Sequence, residues 1–268
     1  MLAGDYRSSD HGEGVELAQL RPYSPGDDVR QLEWNVTART GVPHVRVNLA
    51  ERALTTWLLL DTSPSMQFGT ADRRKADVAD GVALAVAHVA TRRGNRLGVA
   101  TVGDEAPTEL PPHQGRVGLI GLLDVLQREP RREGCGATSL GAGMLRVASH
   151  ARQRGVVVVV SDFRGPLDWR RPLLQLLGRH QVLAVEIRDE REQELPDIGE
   201  VWLVDPETGR QVRVDTGSRV LRDRFAAAAQ EERSGVARIL SALAVPHVVL
   251  STSGDWLRPL ASFLGAKR

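Results

Sequence analysis

The chain has 268 residues, 41% of them hydrophobic, which is enough for one large α/β domain or for a domain with a small satellite. Its formal net charge of +1 argues against a strongly basic nucleic-acid-binding surface. The single cysteine, Cys135, excludes an intrachain disulfide and a thiolate metal cluster.

The first 52 residues predict a small β-rich extension. Residues 13–20 and 42–49 are its candidate strands, and Ser24-Pro25-Gly26-Asp27 between them is typical of a turn. The block written RPYSPGDDVR and the residues after it are dense in charged and aromatic side chains. We expect a paired network with aromatic rings packed beneath it, the alternative being a partner surface; the residues are Arg21, Asp27, Asp28, Arg30 and Arg39, with Tyr23 and Trp34 as the rings.

Residues 53–268 predict one α/β domain in which strands and helices alternate. Strands are expected at 55–60, 97–102, 156–160, 182–187 and 247–250, with a short antiparallel edge strand near 108–110. Helices are expected at 73–92, 117–127, 139–152, 167–177, 218–243 and 255–264. This alternation predicts a doubly wound, mostly parallel sheet with helices on both faces. A hairpin is expected near 201–214, where it interrupts the alternation of strands and helices.

Oxygen-bearing side chains follow two of these strands and precede one helix. Asp61, Ser63 and Ser65 come directly after the apolar run 57–60, and Asp162 follows the run 156–160. Thr138 lies in a glycine-rich stretch just before a helix. Because ligands bind at the carboxyl ends of strands in open α/β sheets, these five side chains could meet there. Such hard oxygens suit Mg²⁺ or Mn²⁺.

The five positions resemble the metal-ion-dependent adhesion site (MIDAS) of the von Willebrand factor A fold. That pattern is Asp-x-Ser-x-Ser on a first loop, Thr on a second and Asp on a third, as at Asp61, Ser63, Ser65, Thr138 and Asp162. The resemblance implies that the two serines bind the metal directly, that Thr138 binds directly or through water, and that the two aspartates act largely through water. A metal with few anionic ligands is expected to accept a partner's carboxylate.

Nearly the whole chain resembles the domain-of-unknown-function 58 (DUF58) family. The residues that carry the likeness are Gly4–Ser8, Arg21–Arg30, Glu33-Trp34, Thr37–Arg39, Ser161–Phe163 and Glu194–Pro196. The family often has Ile-Asp-Trp where this chain has Leu32-Glu33-Trp34. The resemblance implies a non-enzymatic adaptor or co-chaperone that works with a MoxR-type AAA+ ATPase and an unidentified protein target.

Two alternatives to this interpretation stay open. A Mg²⁺-dependent phosphohydrolase of the haloacid dehalogenase type also begins with an aspartate after its first strand. That enzyme needs a second carboxylate two residues later as general acid, and this chain has Ser63 there. The other alternative is a structural scaffold whose metal site stays unfilled.

The expected location is the cytoplasm, without a membrane segment. Residues 1–16 lack the basic-then-apolar pattern of a signal peptide. The longest apolar run, Val156–Val160, is far too short to span a bilayer. The basic residues are almost all arginine, the exceptions being Lys75 and Lys267, and we interpret this as a compositional habit of the source genome.

Overall fold

The structure is a computed structural model that describes residues 11–49, 53–103, 107–127 and 139–265; the side chains of 11–19, 47–49 and 93 lie outside the description. The described residues form two compact units, one ending at Ala53 and the other beginning at Leu54. Each unit is described by itself below.

The N-terminal unit contains two antiparallel strands and one helix. Strand β1 (His11–Pro22) pairs with β2 (His44–Leu49), and helix α1 (Trp34–Thr40) lies between them in the chain. The sequence did not predict α1, because its seven residues are too few for a clear helical period and include β-branched side chains. Its ends are well defined: Glu33 accepts a hydrogen bond from the Asn35 amide, and Gly41 ends the helix with a φ of 71°.

The expected polar network of this unit is present in part, and one of its two aromatic predictions is wrong. Both terminal nitrogens of Arg21 donate to the Asp27 carboxylate, at 2.6 and 2.7 Å, and the Ser24 amide donates to the same group. Trp34 does not pack beneath the block, since 69% of it is exposed. It is the first residue of α1, whereas Tyr23 is half-buried.

The described residues of the larger unit contain eight strands, six of which form one sheet. The strands are β3 (Thr55–Asp61), β4 (Arg96–Val102), β5 (Glu109–Gln114), β6 (Gly155–Ser161), β7 (Gln181–Arg188), β8 (Glu200–Val204), β9 (Gln211–Asp215) and β10 (His247–Ser251). The sheet has the order β10-β7-β6-β3-β4-β5, and every neighbouring pair is parallel except β4 with β5. The antiparallel edge strand β5 includes Pro111 and Pro112.

Six helices cover the two faces of this sheet. They are α2 (Lys75–Thr91), α3 (Gly115–Leu126), α4 (Leu140–His150), α5 (Arg170–Leu177), α6 (Arg219–Ala242) and α7 (Leu257–Gly265). Buried side chains of α2, α3 and α7 pack against one face, and those of α4, α5 and α6 against the other. Strand β3 contributes to both because its side chains alternate: Leu58 and Leu60 point to one layer, Trp57 and Leu59 to the other. The predicted fold class is therefore confirmed.

Strands β8 and β9 pair only with each other among the described strands and form a separate ribbon, residues 200–215, which we call the arm. The arm leaves the domain between β7 and α6. Its base is tied by Thr216, which is fully buried and donates to the Gly199 carbonyl through both its amide and its hydroxyl. Its strands are exposed, with 64% of Trp202 open to solvent.

Across the described part of the chain, the structure has no helix that is both long and apolar enough to cross a membrane. The longest, α6, has 24 residues and carries charged side chains along its whole length.

Candidate functional site

Two neighbouring strands bring Asp61 and Asp162 to the same edge of the sheet. In the parallel pair β3–β6, Leu60 lies opposite Val160, so Asp61 and Ser161 are the next residues of their strands and Asp162 follows at once. Both aspartates are buried, with 6% and 5% of their surfaces exposed. Burial of two carboxylates at one strand edge requires polar partners around them.

The first loop folds its two serines back over Asp61. The Ser63 amide donates to Asp61 Oδ1 at 3.0 Å, and the hydroxyl oxygens of Ser63 and Ser65 lie 3.0 Å apart. Ser63 is fully buried and Ser65 half-buried. Pro64 starts a short 3₁₀ helix, Pro64–Gln67, which fixes the turn between the two serines. The structure thus brings Asp61, Ser63 and Ser65 together as the sequence predicts.

The third loop is attached to the first through Ser161. Its hydroxyl donates to Asp61 Oδ2 at 2.6 Å and accepts from the Phe163 amide at 3.0 Å. Phe163 has a φ of 54°, in the left-handed region, and its buried ring meets Trp169 edge-on at 5.5 Å. Such a conformation persists only where its surroundings hold it. Ser161 therefore positions Asp61, a role that sequence reasoning missed.

Thr138 lies outside the described residues, so its place in the site stays a prediction. The next residue, Ser139, caps α4: its hydroxyl accepts from the Ala142 amide at 3.0 Å. The same hydroxyl donates to Asp168, which also accepts from the Gly141 amide.

A glycine after β4 supports the first loop from the side. Gly103 has a φ of +109°, and a Cβ there would lie 2.5 Å from the Ser63 amide nitrogen. Beside it, the Thr62 amide and hydroxyl both donate to the Val102 carbonyl, at 2.8 and 3.1 Å. Strand β4 thus holds the loop through backbone contact that only glycine allows.

We expect Gly103→Ala to lower the free energy of unfolding by about 2–4 kcal/mol, since it combines a strained φ with a clash against the loop backbone. Gly165→Ala is the matched control, because Gly165 has a φ of +95° but nothing within 4 Å of its Cβ position. It is expected to cost about 1–2 kcal/mol. Urea unfolding of both variants measures the difference. Equal losses would mean that contact with Ser63 contributes nothing.

A buried lysine neutralises the third loop. Lys75, the first residue of α2, is fully buried, and its Nζ donates to Asp162 Oδ2 and to Glu192 Oε1, each at 2.6 Å. Arg164 adds a second cation 3.0 Å from Glu192. Sequence reasoning missed Lys75, although a lone internal lysine in an arginine-rich chain was a usable signal. A compact ammonium with three donors fits between two carboxylates where a guanidinium would not.

The two aspartates differ in their electrostatics. Burial opposes ionisation of Asp162, but the charge and hydrogen bond of Lys75 outweigh it and hold the pKa of Asp162 below its usual value. For Asp61, burial and then the charge of Asp162 raise the pKa. Among the described residues, Asp61 receives hydrogen bonds only from Ser63 and Ser161, whereas Asp162 also has an ammonium partner. The Asp61 side of the site is the part that a further cation would stabilise.

The residues around Asp61 fit a small hard cation. Adjacent ligands of an octahedral Mg²⁺ with bonds of 2.0–2.1 Å lie about 2.9 Å apart, close to the 3.0 Å between the Ser63 and Ser65 hydroxyls. Within the described ranges no group of three or more His, Cys, Asp or Glu side chains could hold a metal. Any metal held here would therefore depend on hydroxyls together with one or two carboxylates.

The remaining neighbour of the first loop comes from the arm. Glu207, in the turn that joins β8 to β9, accepts a hydrogen bond from the Ser65 amide at 3.2 Å. The two residues are 142 positions apart, and no spacing rule in the sequence could have paired them.

Comparisons with known proteins give a family and a fold. A sequence model of the family described as "Protein of unknown function DUF58" matches residues 19–235. An uncharacterized protein of Mycobacterium tuberculosis (strain H37Rv) is 40% identical over 270 residues, covering 100% of this chain and 84% of that protein.

Among solved structures, an aerotolerance-related membrane protein from Bacteroides fragilis aligns with a TM-score of 0.50 at 11% identity, over 80% of this chain and 98% of that one. A von Willebrand factor type A structure from Catenulispora acidiphila aligns with a TM-score of 0.43 at 14% identity, over 82% and 42% of the two chains.

Proposed function

Because the chain belongs to the DUF58 family and its larger unit has a von Willebrand factor A-like fold, we propose that it is a non-enzymatic interaction module that docks a partner's acidic side chain through Mg²⁺ or Mn²⁺. The observation that carries the proposal is the pair of hydroxyls of Ser63 and Ser65, 3.0 Å apart, in which Ser63 contacts the Asp61 carboxylate and Ser65 the Asp162 carboxylate. A bound Mg²⁺ would supply a Lewis-acidic position for a carboxylate from outside.

Different residues of the chain would bind the cation and hold the site in place. Ser63, Ser65 and Asp61 would hold the cation, with Thr138 as a further predicted ligand. Asp162 would contact the site through its hydrogen bond with the Ser65 hydroxyl, while its Oδ2 accepts a hydrogen bond from the Lys75 ammonium. Since one carboxylate is already neutralised, the cation would meet little negative charge and keep its affinity for an incoming acid.

The absence of an acid at position 63 supports a docking role over phosphoryl transfer. Ser63 is buried, its amide donates a hydrogen bond to Asp61, and its hydroxyl is hydrogen-bonded to the Ser65 hydroxyl. A hydroxyl in that place cannot serve as the general acid that the haloacid dehalogenase chemistry needs. Turnover of a generic phosphate ester by the native chain, lost in Asp61→Ala, would contradict the non-enzymatic part of the proposal.

Metal binding is expected to raise the melting temperature. At a free Mg²⁺ concentration of 100 times Kd, binding to the folded state adds about 2.7 kcal/mol, or roughly 5–10 °C for a domain of this size. Ser65→Ala should abolish most of this shift. Ser253→Ala is the matched control, because the Ser251 and Ser253 hydroxyls form a similar pair, 2.9 Å apart, in which Ser253 donates to the Glu190 carboxylate.

The shift is measured by thermal unfolding at increasing Mg²⁺ and Mn²⁺. The control variant should respond as the native chain does. A native chain whose melting temperature ignores both ions would leave the scaffold interpretation, with Lys75 as the permanent cation of the site.

The partner proposed from the family resemblance is a MoxR-type AAA+ ATPase, with the module connecting it to a protein target. Co-purification of the native chain with such an ATPase, in the presence of Mg²⁺, tests this step. Retention of the complex in Ser65→Ala would place the contact away from the metal site.

A further inference from the structure

The tip of the arm is packed while its strands are exposed. Pro206 and Glu207 are half-buried, whereas residues 202–205 and 208–213 are all exposed. The arm's two strands pair only with each other, and its apolar side chains at Trp202, Val204 and Val212 are open to solvent. One contact that orders the tip is the hydrogen bond from the Ser65 amide to Glu207, at the candidate metal site.

The turn of the arm presents Glu207 in a fixed orientation. Asp205 accepts from the Glu207 amide at 3.0 Å and from the Thr208 hydroxyl at 2.6 Å. The turn is closed by backbone bonds from Gly209 to Asp205 and from Asp205 to Arg210, at 2.8 and 2.9 Å. An Asx-type turn of this kind fixes the backbone at Glu207, so that its side chain is directed at Ser65 with little loss of freedom.

The charges near Glu207 favour a cation at this end of the sheet. Its carboxylate accepts from the Ser65 amide, and the Ser65 hydroxyl lies 3.0 Å from that of Ser63. Without a cation, Asp61, Asp162 and Glu207 bring three acids to one end of the sheet, with Lys75 on Asp162. With a cation held by the serines, the same carboxylate becomes an attractive neighbour.

We propose that Glu207 is an internal carboxylate of the metal site, which occupies the place of a partner's acidic side chain until the arm moves away. This inference rests on the proposed metal site and adds its regulation. The arm can move because its strands bury little apolar surface and, among the described strands, pair only with each other. By linkage, metal binding favours arm closure and arm closure favours metal binding.

The first test measures Mn²⁺ affinity by titration calorimetry. Glu207→Gln keeps the hydrogen-bond acceptor for Ser65 but removes the charge, so we expect affinity about tenfold weaker than native, with Glu207→Ala at least as weak. Glu200→Gln, on the same arm at its base, is the matched control and should bind as the native chain does. A Glu207 that only braces the loop would give native affinity in Glu207→Gln.

The second test measures competition, using acetate as the external carboxylate and the water-proton relaxivity of bound Mn²⁺ as the readout. Acetate should lower the relaxivity of Glu207→Gln at a concentration about tenfold lower than the native chain requires. This factor is expected if the arm is open in about a tenth of the native molecules and in nearly all of the variant molecules. Equal acetate dependence would overturn the inference.

Different results would contradict the proposed metal site and the proposed role of Glu207. A native chain that binds no Mn²⁺ removes the proposed metal site and the role of Glu207 together. A native chain whose Mn²⁺ binding is weakened by Ser65→Ala, but not by Glu207→Gln, keeps the metal site and removes only the internal carboxylate.

Discussion

Replacing Lys75 by methionine is expected to lower the free energy of unfolding by about 3–5 kcal/mol. Methionine fills the space of the lysine stem but leaves Asp162 and Glu192 without their ammonium partner. Both acids are at least nine-tenths buried as side chains, so water cannot replace the lost bonds. Burial opposes the charge of Lys75 itself, yet the two carboxylates raise its pKa, which keeps it charged at neutral pH.

Urea unfolding at neutral pH measures the loss. Arg74→Met, one residue earlier, is the matched control, because Arg74 pairs with Asp77 on the exposed side of α2 and its loss should cost less than about 1 kcal/mol. Adding Asp162→Asn to Lys75→Met should recover part of the stability, since one of the unpaired charges disappears. A Lys75→Met loss as small as that of Arg74→Met would contradict the buried ion pairs.

Asp189→Ala is expected to cost a similar amount, about 3–5 kcal/mol, because it removes four hydrogen bonds at a fully buried carboxylate and leaves the buried Thr252 hydroxyl without this acceptor. Asp189 follows β7, is fully buried and joins three segments. It accepts from the amide and the hydroxyl of Thr70 at 2.8 and 2.5 Å, from the Thr252 hydroxyl at 2.7 Å and from the Arg191 amide at 2.9 Å. Its removal separates the loops that precede α2 and follow β10.

Asp189 also makes the stability of the fold depend on pH in the acidic range. Burial opposes ionisation of Asp189, but its hydrogen bonds outweigh burial and hold its pKa below the ordinary value. The unfolded chain therefore takes up the proton first, and this stabilisation is present above about pH 4 and lost as the pH falls through the lower, folded value. Asp189→Asn should flatten the decline in stability below pH 4.

Asp255→Ala is the control for this pair of measurements. Asp255 accepts from the Leu257 and Arg258 amides at the start of α7 but is exposed, so its loss should cost about 1 kcal/mol. A native pH profile in Asp189→Asn would show that another group carries the acid sensitivity.

Hydrophobic patterning was sufficient to predict the sheet. The run 156–160 predicted a strand, and the structure has β6 over Gly155–Ser161 in the middle of the sheet, with Val156 to Ser161 all buried. The hairpin near 201–214 also has its counterpart in β8 and β9. Helix α1 was missed because seven residues give too little period, and its stability comes from Glu33 and Gly41 at its ends.

The site was predictable only as far as strand ends are predictable. Asp61, Ser63, Ser65 and Asp162 could be placed at one edge because parallel neighbours end together. Lys75, Glu192 and Glu207 reach the same edge through contacts across 87 to 142 positions of the chain, which depend on packing and not on local pattern.

The two prolines of β5 limit the association of one copy of this protein with another. Strand β5 is one outer edge of the sheet, and an open edge invites pairing with a strand from a second copy. Pro111 and Pro112 carry no amide hydrogen, and because successive amides of a strand point to opposite sides, one of the two missing donors belongs to the open edge. The opposite edge, β10, is only five residues long. Neither border offers a continuous template for fibril growth, and the sheet stays finite.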